Sequence, residues 1–186
     1  TPETAAIFFG VWKLGAILLS MSVLYGDDGI EHRITDSDAR LVVTDEANAP
    51  RFDRPWAPRV LVVGGDTLSG APTDAVCADT SADDPAQLYY TSGTTGMAKG
   101  IVHAHRYILG HEEFTYCHDV RDGEAFHGMG EWAWAAGISP LLGPWRLGAT
   151  QYVYQREGGF DPHKQLDFLS RHELANVFTT PTAMRA

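Results

Sequence analysis

The sequence has few cysteines and few basic residues, and each shortage excludes a class of protein. Cys77 and Cys117 are its only cysteines. Two cysteines do not build a disulfide framework, so a reducing compartment is favoured and we expect a cytoplasmic protein. Fourteen basic against twenty-four acidic side chains give a net charge of −10. Nucleic acids and anionic membranes need a basic protein surface, so neither is expected as the main partner.

Long apolar runs are also missing. A membrane helix needs about 18 or more consecutive apolar residues, whereas residues 8–24, which come nearest, are interrupted by Trp12, Lys13, Gly15 and Ser20. We therefore predict no membrane span and no signal peptide. The chain does not begin with Met, and residues 181–186 look like the start of a helix. We expect both ends to have been cut from a longer protein.

Glycine and hydroxyl residues are concentrated in one stretch, residues 87–100. It begins with apolar and aromatic residues typical of a strand, then continues as Thr-Ser-Gly-Thr-Thr-Gly-Met-Ala-Lys-Gly. Glycines permit positive φ and close approach of a ligand, and such a loop can direct several backbone N–H groups at one anion. Ser92, Thr94 and Thr95 add hydroxyl donors, and Lys99, one of three lysines in the chain, adds a positive charge. This composition predicts a phosphate-binding loop.

The spacing differs from that of the Walker loop, which needs four residues between its glycines and Ser or Thr directly after its lysine. Here two residues separate Gly93 from Gly96, and Gly100 follows Lys99. A flexible Gly/Ser/Thr linker is the plain alternative. The preceding strand, the apolar run that follows and the scarcity of lysine all favour the phosphate loop.

Residues 90–100 closely resemble the phosphate-binding signature of the adenylate-forming superfamily, which includes acyl-CoA synthetases, peptide-synthetase adenylation domains and luciferases. The signature reads Tyr-Thr-Ser-Gly-Thr-Thr-Gly-x-Pro-Lys-Gly, and this chain departs from it only at Ala98, where the family usually has Pro. Replacing Pro by Ala makes the loop less rigid, but it removes no chemical group that could bind phosphate.

The resemblance implies an ATP-dependent carboxylate–CoA ligase of the short- or medium-chain type. Such an enzyme uses ATP, Mg²⁺ and coenzyme A. It converts a small carboxylic acid to an acyl-adenylate with release of pyrophosphate, and then to a thioester. The residues implied in nucleotide binding are Thr91, Ser92, Gly93, Thr94, Thr95, Gly96 and Lys99.

Strand-like and helix-like patterns alternate along the chain. Strands are predicted at residues 39–44, 60–63, from Gln87, and at 101–103, 125–127, 150–154 and 175–179. Helices are predicted from Thr1, at 30–37, at 105–117, at 132–147 with a break near Pro140 or Pro144, and from Asp161. The alternation predicts an α/β fold with layered, largely parallel sheets and flanking helices. The resemblance implies part of the large N-terminal domain, with residues 1–118 as one α/β half and 119–186 as part of a second.

Aromatic residues cluster in a second segment of interest, Glu-Trp-Ala-Trp-Ala-Ala-Gly at residues 131–137. Two indoles beside Ala and Gly are able to form one wall of an apolar pocket, although ordinary core packing also explains them. The resemblance favours an acyl pocket with Trp134 as its main aromatic residue. The substrate-binding residues it implies are Trp132, Trp134, Gly137, Thr180 and Pro181.

Histidines and paired acids are weaker candidates. His103, His105, His111, His118 and His127 lie close in sequence, and imidazole is a common zinc ligand. Their spacing matches no familiar metal motif, so we predict no metal site and interpret His105 and His111 as ordinary surface or capping residues. A metal hydrolase that uses these histidines is a weaker alternative. His103 and His105 would share one face if the strand continued that far. The pairs at 27–28 and 83–84 are interpreted as solvated acids in turns.

Two functional classes compete. The first is an adenylating enzyme, of the CoA-ligase or peptide-synthetase type. The second is a non-catalytic nucleotide-binding module derived from that family. Family members add an adenine segment, a ribose-gripping Asp and a C-terminal domain with the catalytic Lys, and none of these follows Ala186 here. Lys164 does not match that Lys, so we expect this chain alone to be inactive. A homo-oligomer is compatible with the sequence.

Overall fold

Three small β-sheets with flanking helices make up the described part of a computed structural model of the chain, residues 1–64, 71–91, 96–155 and 158–186. The helices are α1 (Pro2–Lys13), α2 (Asp27–Asp36), α3 (Glu113–Tyr116), α4 (Ala135–Arg146), α5 (Pro162–Arg171) and α6 (Pro181–Arg185), with 3₁₀ turns at Ala49–Phe52 and His105–Leu109. The strands are β1 (Leu18–Leu19), β2 (Leu41–Thr44), β3 (Arg59–Val62), β4 (Pro85–Thr91), β5 (Lys99–Ala104), β6 (Ala125–Gly128), β7 (Thr150–Gln151) and β8 (Asn176–Phe178).

The sheets are largely parallel, as predicted. Strand β2 pairs with β3 in parallel, and β6 lies between β7 and β8 with all three parallel. In the third sheet β1 runs parallel to β4, but β4 and β5 form an antiparallel hairpin around the predicted phosphate loop. The predicted α/β class is confirmed.

Helix α1 begins as the sequence predicts. The Thr1 hydroxyl accepts a hydrogen bond from the Thr4 amide, and a proline occupies the first helical turn, where its missing N–H costs nothing. One side of the helix buries Ala5, Phe8 and Trp12. These side chains share a core with Tyr89 of β4 and with Ile138, Leu141 and Leu142 of α4. This core joins residues from both sides of position 118, and the division of the chain there stays a prediction.

Helix α4 continues through both of its prolines, so the predicted break is wrong. Proline has no N–H, and Pro144 therefore leaves the Pro140 carbonyl without its helical donor. The side-chain amide of Gln151 on β7 donates to that carbonyl instead. Because the neighbouring strand satisfies the free carbonyl, the helix runs to Arg146.

Other predicted boundaries shift for local reasons. The single helix expected at residues 105–117 is wrong: a 3₁₀ turn ends at Gly110, whose amide donates to the Tyr107 carbonyl, and α3 begins only at Glu113. Strand β5 ends at Ala104, so His103 and His105 do not share a strand face. Strand β7 is shorter than predicted, although the Tyr152 amide still donates to the Phe126 carbonyl at 2.8 Å.

One member of each acidic pair forms an ion pair that the sequence does not predict. Asp27 and Asp28 lie in the first turn of α2 rather than in a turn before it, where negative charge favours the helix dipole. Asp27 also pairs with Arg51 at 3.0 Å, and Asp83 pairs with Arg106. Within the described ranges, no helix combines the length and apolar character that crossing a bilayer requires.

Candidate functional site

The predicted phosphate loop closes the β4–β5 hairpin. Thr91 and Lys99 are directly paired across the two strands, and both are exposed. Gly96 has φ +152, a conformation that a residue with a side chain rarely adopts. Ser92, Gly93, Thr94 and Thr95 lie outside the described residues. The hairpin register therefore carries the Lys99 amine and the Thr91 hydroxyl to the same end of the sheet.

Helix α2 supports the loop end of the hairpin through two of its side chains. The Tyr90 hydroxyl donates to Asp36 Oδ2 at 2.6 Å, and His32 Nε2 lies 2.8 Å from the Ala98 carbonyl. A carbonyl only accepts, so the proton of His32 sits on Nε2. Burial, followed by the Asp36 carboxylate, raises the pKa of Tyr90. The Tyr90 hydroxyl therefore stays protonated at neutral pH. The two contacts connect α2 to Tyr90 of β4 and to Ala98, just before β5.

The aromatic segment lies before and at the start of α4. Trp132 packs against Phe8 with ring centroids 6.2 Å apart, and Trp134 meets Tyr25 edge-on at 5.7 Å. Trp134 is the residue that caps α4, and it remains 43% exposed. One indole thus faces the core, and the other remains accessible to a ligand.

Two glycines allow the segment before α4 to fold tightly. A Cβ at Gly137 would lie 1.8 Å from the Glu131 carbonyl oxygen, and a Cβ at Gly130 would lie 2.8 Å from the Gly137 Cα. Both obstacles are backbone atoms. Glu131 itself accepts a hydrogen bond from the Ser22 hydroxyl at 2.7 Å. Gly137 is therefore required for the close backbone contact that places Trp132 and Trp134.

Thr180 and Pro181 begin α6, directly after β8. The Thr180 hydroxyl accepts from the Ala183 amide at 3.3 Å, and both residues are exposed. Since Gly128 of β6 pairs with Phe178 of parallel β8, the segments after these strands leave the same edge of the sheet. Ligands of open α/β sheets bind at the carboxyl ends of strands, so Trp132, Trp134 and Thr180 follow the edge where a substrate is expected.

A cleft of about 1930 Å³ is lined by residues of α1, β1, α2 and β2, by the hairpin and by residues of β6 and β7. Tyr90 and Gly100 line it on the hairpin side, and residues 128–133, including Trp132, line it on the other. Of the predicted site residues that the structure describes, only Trp132 lines the cleft; those outside its lining are Thr91, Gly96, Lys99, Trp134, Gly137, Thr180 and Pro181. The structure therefore brings the loop base and Trp132 to one cleft, and the assigned roles of the other residues stay predictions.

A family model described as AMP-binding enzyme matches residues 1–186, the whole chain. The chain belongs to the AMP-binding enzyme family. It is 28% identical to the acetyl-coenzyme A synthetase of Psychromonas ingrahamii over 222 aligned positions, which cover 100% of this chain and 34% of that protein. It is 30% identical to YtcI of Bacillus subtilis, an uncharacterised acyl-CoA ligase, covering 98% of this chain and 37% of that one.

Solved structures agree with the family match. The anthranilate CoA ligase AuaEII in complex with anthranoyl-AMP superposes with a TM-score of 0.84 at 26% identity, covering 98% of this chain and 39% of that chain. The fold is thus that of part of the N-terminal domain of adenylate-forming enzymes, as the resemblance implied. The AMP-binding chain spans about a third of the length of the curated relatives named here.

The histidines of the AMP-binding chain are engaged separately. His111 is buried, with Nδ1 3.0 Å from the Ser139 hydroxyl, which in turn donates to Glu113. His118 stacks on Phe114, and the ring centroids of His103 and Tyr107 are 4.4 Å apart. In the part of the chain that the structure describes, no group of three or more His, Cys, Asp or Glu is arranged to hold a metal ion.

Sequence reasoning missed the side chains of α2 and the role of His127. His32 and Asp36 are four residues apart, a spacing that places them on one helix face; that spacing was the available signal. His127 is buried at the carboxyl end of β6 and lines the cleft, with Nδ1 2.8 Å from the Tyr152 carbonyl and Nε2 3.2 Å from Gln165 Nε2. A polar residue within an apolar strand was its only signal.

Proposed function

We propose that this AMP-binding chain is the nucleotide-binding and acyl-binding part of an ATP-dependent acid–CoA ligase. The carboxylate of a small acid attacks the α-phosphate of ATP and pyrophosphate leaves. The thiol of coenzyme A then attacks the acyl carbon of the acyl-adenylate, which gives the acyl-CoA thioester and releases AMP and a proton. The observation that carries the proposal is the paired placement of Thr91 and Lys99 at the loop end of the hairpin, in a chain that the family model matches throughout.

The described residues suit a polyphosphate bound with Mg²⁺. Attacking and leaving groups are both anionic, so this chemistry depends on positioning and charge neutralisation rather than on a protein nucleophile. The exposed Lys99 amine would neutralise phosphate charge, and Gly96 keeps the loop backbone open to a close approach. Mg²⁺, when bound, would neutralise further negative charge on the polyphosphate. We assign Ser92, Gly93, Thr94 and Thr95 to the same phosphates from the signature.

The acid would lie beyond Trp134, whose exposed indole and apolar surroundings suit a short aliphatic or an aromatic carboxylate. The relatives support this class, since they include an acetyl-coenzyme A synthetase and an anthranilate CoA ligase. We further propose that the protein works in the cytoplasm. The curated relatives are about three times as long as this chain, so the test uses the longer protein that contains it.

ATP–pyrophosphate exchange with acetate to decanoate and with benzoate tests the function. We expect exchange with one class of acid, and a loss of roughly 10²- to 10³-fold in Lys99→Ala, the size seen when one preorganised charge stabiliser is removed. Lys164→Ala is the matched control, because Lys164 is exposed on α5. Unchanged exchange in Lys99→Ala would remove that residue from the site. Tight ATP binding without exchange for any acid would instead identify a non-catalytic nucleotide-binding module.

A further inference from the structure

Arg33 lies between two aromatic rings that belong to different parts of the candidate site. Its guanidinium carbon is 4.1 Å from the centre of the Tyr25 ring and 5.4 Å from the centre of the Tyr90 ring. Its Nη1 donates to the Gly29 carbonyl at 2.7 Å, within α2, whereas Nε is buried without a hydrogen-bond partner. A guanidinium within about 6 Å of a ring centre is attracted by the electrons of that ring. Arg33 is therefore held by the Gly29 carbonyl within α2 and by the two rings outside it.

The Tyr90 ring leads to the phosphate loop. Tyr90 is paired with Gly100 and immediately precedes Thr91, which is paired with Lys99. A Cβ at Gly100 would lie 3.3 Å from the Tyr90 ring, so the ring covers the backbone beside Lys99. His32, the neighbour of Arg33 in sequence, contacts the Ala98 carbonyl just before the opposite strand. Two neighbouring residues of α2 thus contact the segments on both sides of the loop.

The Tyr25 ring leads to the acyl side. It meets the Trp134 indole edge-on at 5.7 Å, and Trp134 caps α4. Trp134, Tyr25, Arg33 and Tyr90 thus form a continuous row of contacts, which we call the Arg33 row. It connects residues that the sequence separates by more than 100 positions.

We propose that Arg33 is a positioning residue that couples occupancy of the phosphate loop to the shape of the acyl wall. The proposal rests on the proposed function for its kinetic consequences, but the row itself is a property of the folded chain. A bound polyphosphate that fixes Tyr90 also fixes Arg33 and Tyr25, and so orients Trp134 for the acid. Coupling of this kind is reciprocal, so a change at Trp134 is felt in the affinity for ATP.

A double-mutant cycle in the longer protein tests this coupling. Trp134→Gly is expected to raise the KM for ATP by about threefold to tenfold in the wild-type background, and by less than twofold in an Arg33→Met background, because the row is already interrupted. Arg33→Met keeps the apolar stem and removes the charge. Arg33→Lys keeps the charge and is expected to restore part of the coupling, with kcat less affected than KM.

Arg40→Met is the matched control. Arg40 is exposed and pairs only with Asp38 in the described contacts, so this variant should leave the effect of Trp134→Gly on the KM for ATP unchanged. An equal effect of Trp134→Gly in the Arg33→Met background would overturn the proposal. If Arg33→Met does not fold, Tyr25→Leu interrupts the row on its other side and replaces it in the cycle.

Hydrogen exchange without any ligand separates this inference from the proposed function. Arg33→Met is expected to speed amide exchange at residues 98–100 and also at residues 130–137, on the two sides of the cleft. Faster exchange confined to α2 would show a purely structural role and reject the coupling. A protein without pyrophosphate exchange contradicts the ligase proposal, while this measurement still decides whether the Arg33 row connects the two regions.

Discussion

The two sides of the cleft are built by different kinds of contact. On the hairpin side, the loop end is exposed and is held to α2 by side chains, through the Tyr90–Asp36 and His32–Ala98 hydrogen bonds. On the side of α4, residues 130–137 are held by backbone atoms in direct contact. Side-chain contacts allow adjustment when a ligand binds, whereas backbone contacts do not. The phosphate side is thus built to respond to a ligand, whereas on the acyl side the backbone of residues 130–137 is fixed and the Trp134 side chain, held by Tyr25, is the part that adjusts.

The largest expected effect is that of alanine at Gly137. The new Cβ would meet the Glu131 carbonyl at 1.8 Å, and backbone cannot move aside cheaply. We expect a loss of about 3 kcal/mol or more in the free energy of unfolding, as for other overpacked core positions. Denaturant unfolding of the longer protein measures it.

The matched change on the hairpin side is Gly100→Ala. Its Cβ would meet the end of the Leu88 side chain at 3.1 Å and the Tyr90 ring at 3.3 Å. Both neighbours are side-chain atoms rather than backbone, and alanine also suits a strand better than glycine. We expect a change within about 1 kcal/mol. Equal losses in the two variants would contradict the distinction between side-chain and backbone support.

A smaller effect is expected from Trp134→Gly. Removal of the indole deepens the space beyond residue 134. In an apolar pocket, one methylene more or less in the substrate changes the ratio of rates between two substrates about 10-fold or more. We expect the ratio of exchange rates with octanoate and acetate to rise about 10-fold, measured by ATP–pyrophosphate exchange. Trp132→Phe, against the core, should leave the ratio nearly unchanged. An unchanged profile in Trp134→Gly would remove that residue from the acyl wall.

Acid sensitivity near α4 is expected to depend on His111. Burial lowers the pKa of His111 below its ordinary 6.5, against the opposing effect of Glu113, with Arg146 adding to the lowering. The folded state therefore binds fewer protons, so stability is present above about pH 6.5 and is lost as the pH falls towards the folded pKa. His111→Gln should lose less stability between pH 7 and 5.5, as measured by thermal unfolding.

Glu113 titrates in a different window. Burial alone would raise its pKa, but the hydrogen bond from Ser139 and the proximity of His111 lower it below the ordinary 4.5. The stability that the Glu113 carboxylate contributes is lost only as the pH falls below about 4.5. The effects of His111 and Glu113 therefore fall in different pH ranges. Identical pH profiles for His111→Gln and the wild type would show that the buried imidazole does not carry the effect.

The smallest effect is expected from Asp83→Asn. The Asp83–Arg106 pair joins the two strands at the hairpin end away from the loop, and both side chains are largely exposed. Exposed pairs contribute little, so we expect about 0.5 kcal/mol or less in unfolding and no change in exchange. A larger loss would show that the hairpin is supported from both ends.

Sequence patterns predicted the local parts of this fold well. The Thr1 cap, the strand entering the loop and the Asp161 cap of α5 follow from neighbouring residues, and all three are confirmed. The support of the hairpin by α2 joins residues more than 50 positions apart. The four-residue spacing of His32 and Asp36 indicates a shared helix face, but it does not reveal which strands that face contacts.

Apart from the helix that ended at Gly110, the missed features share one cause: a distant partner changed the local preference. Gly110 ended the helix expected at residues 105–117 as a local breaker, but the prolines of α4 did not end theirs because β7 supplied a donor. The same holds for Trp134, whose partner Tyr25 lies in another segment. The phosphate-binding assignments in residues 92–95 rest on the signature and stay predictions.

The contact between Gln151 and the Pro140 carbonyl makes the residue at position 151 depend on the residue at position 144. A proline at 144 creates a vacant acceptor, and the glutamine at 151 occupies it. If proline were exchanged for a residue with an N–H, the helix would reclaim that carbonyl and the glutamine would lose its partner. We therefore expect Pro144 and Gln151 to covary among homologues. This covariation would mark the position at which α4 contacts its sheet.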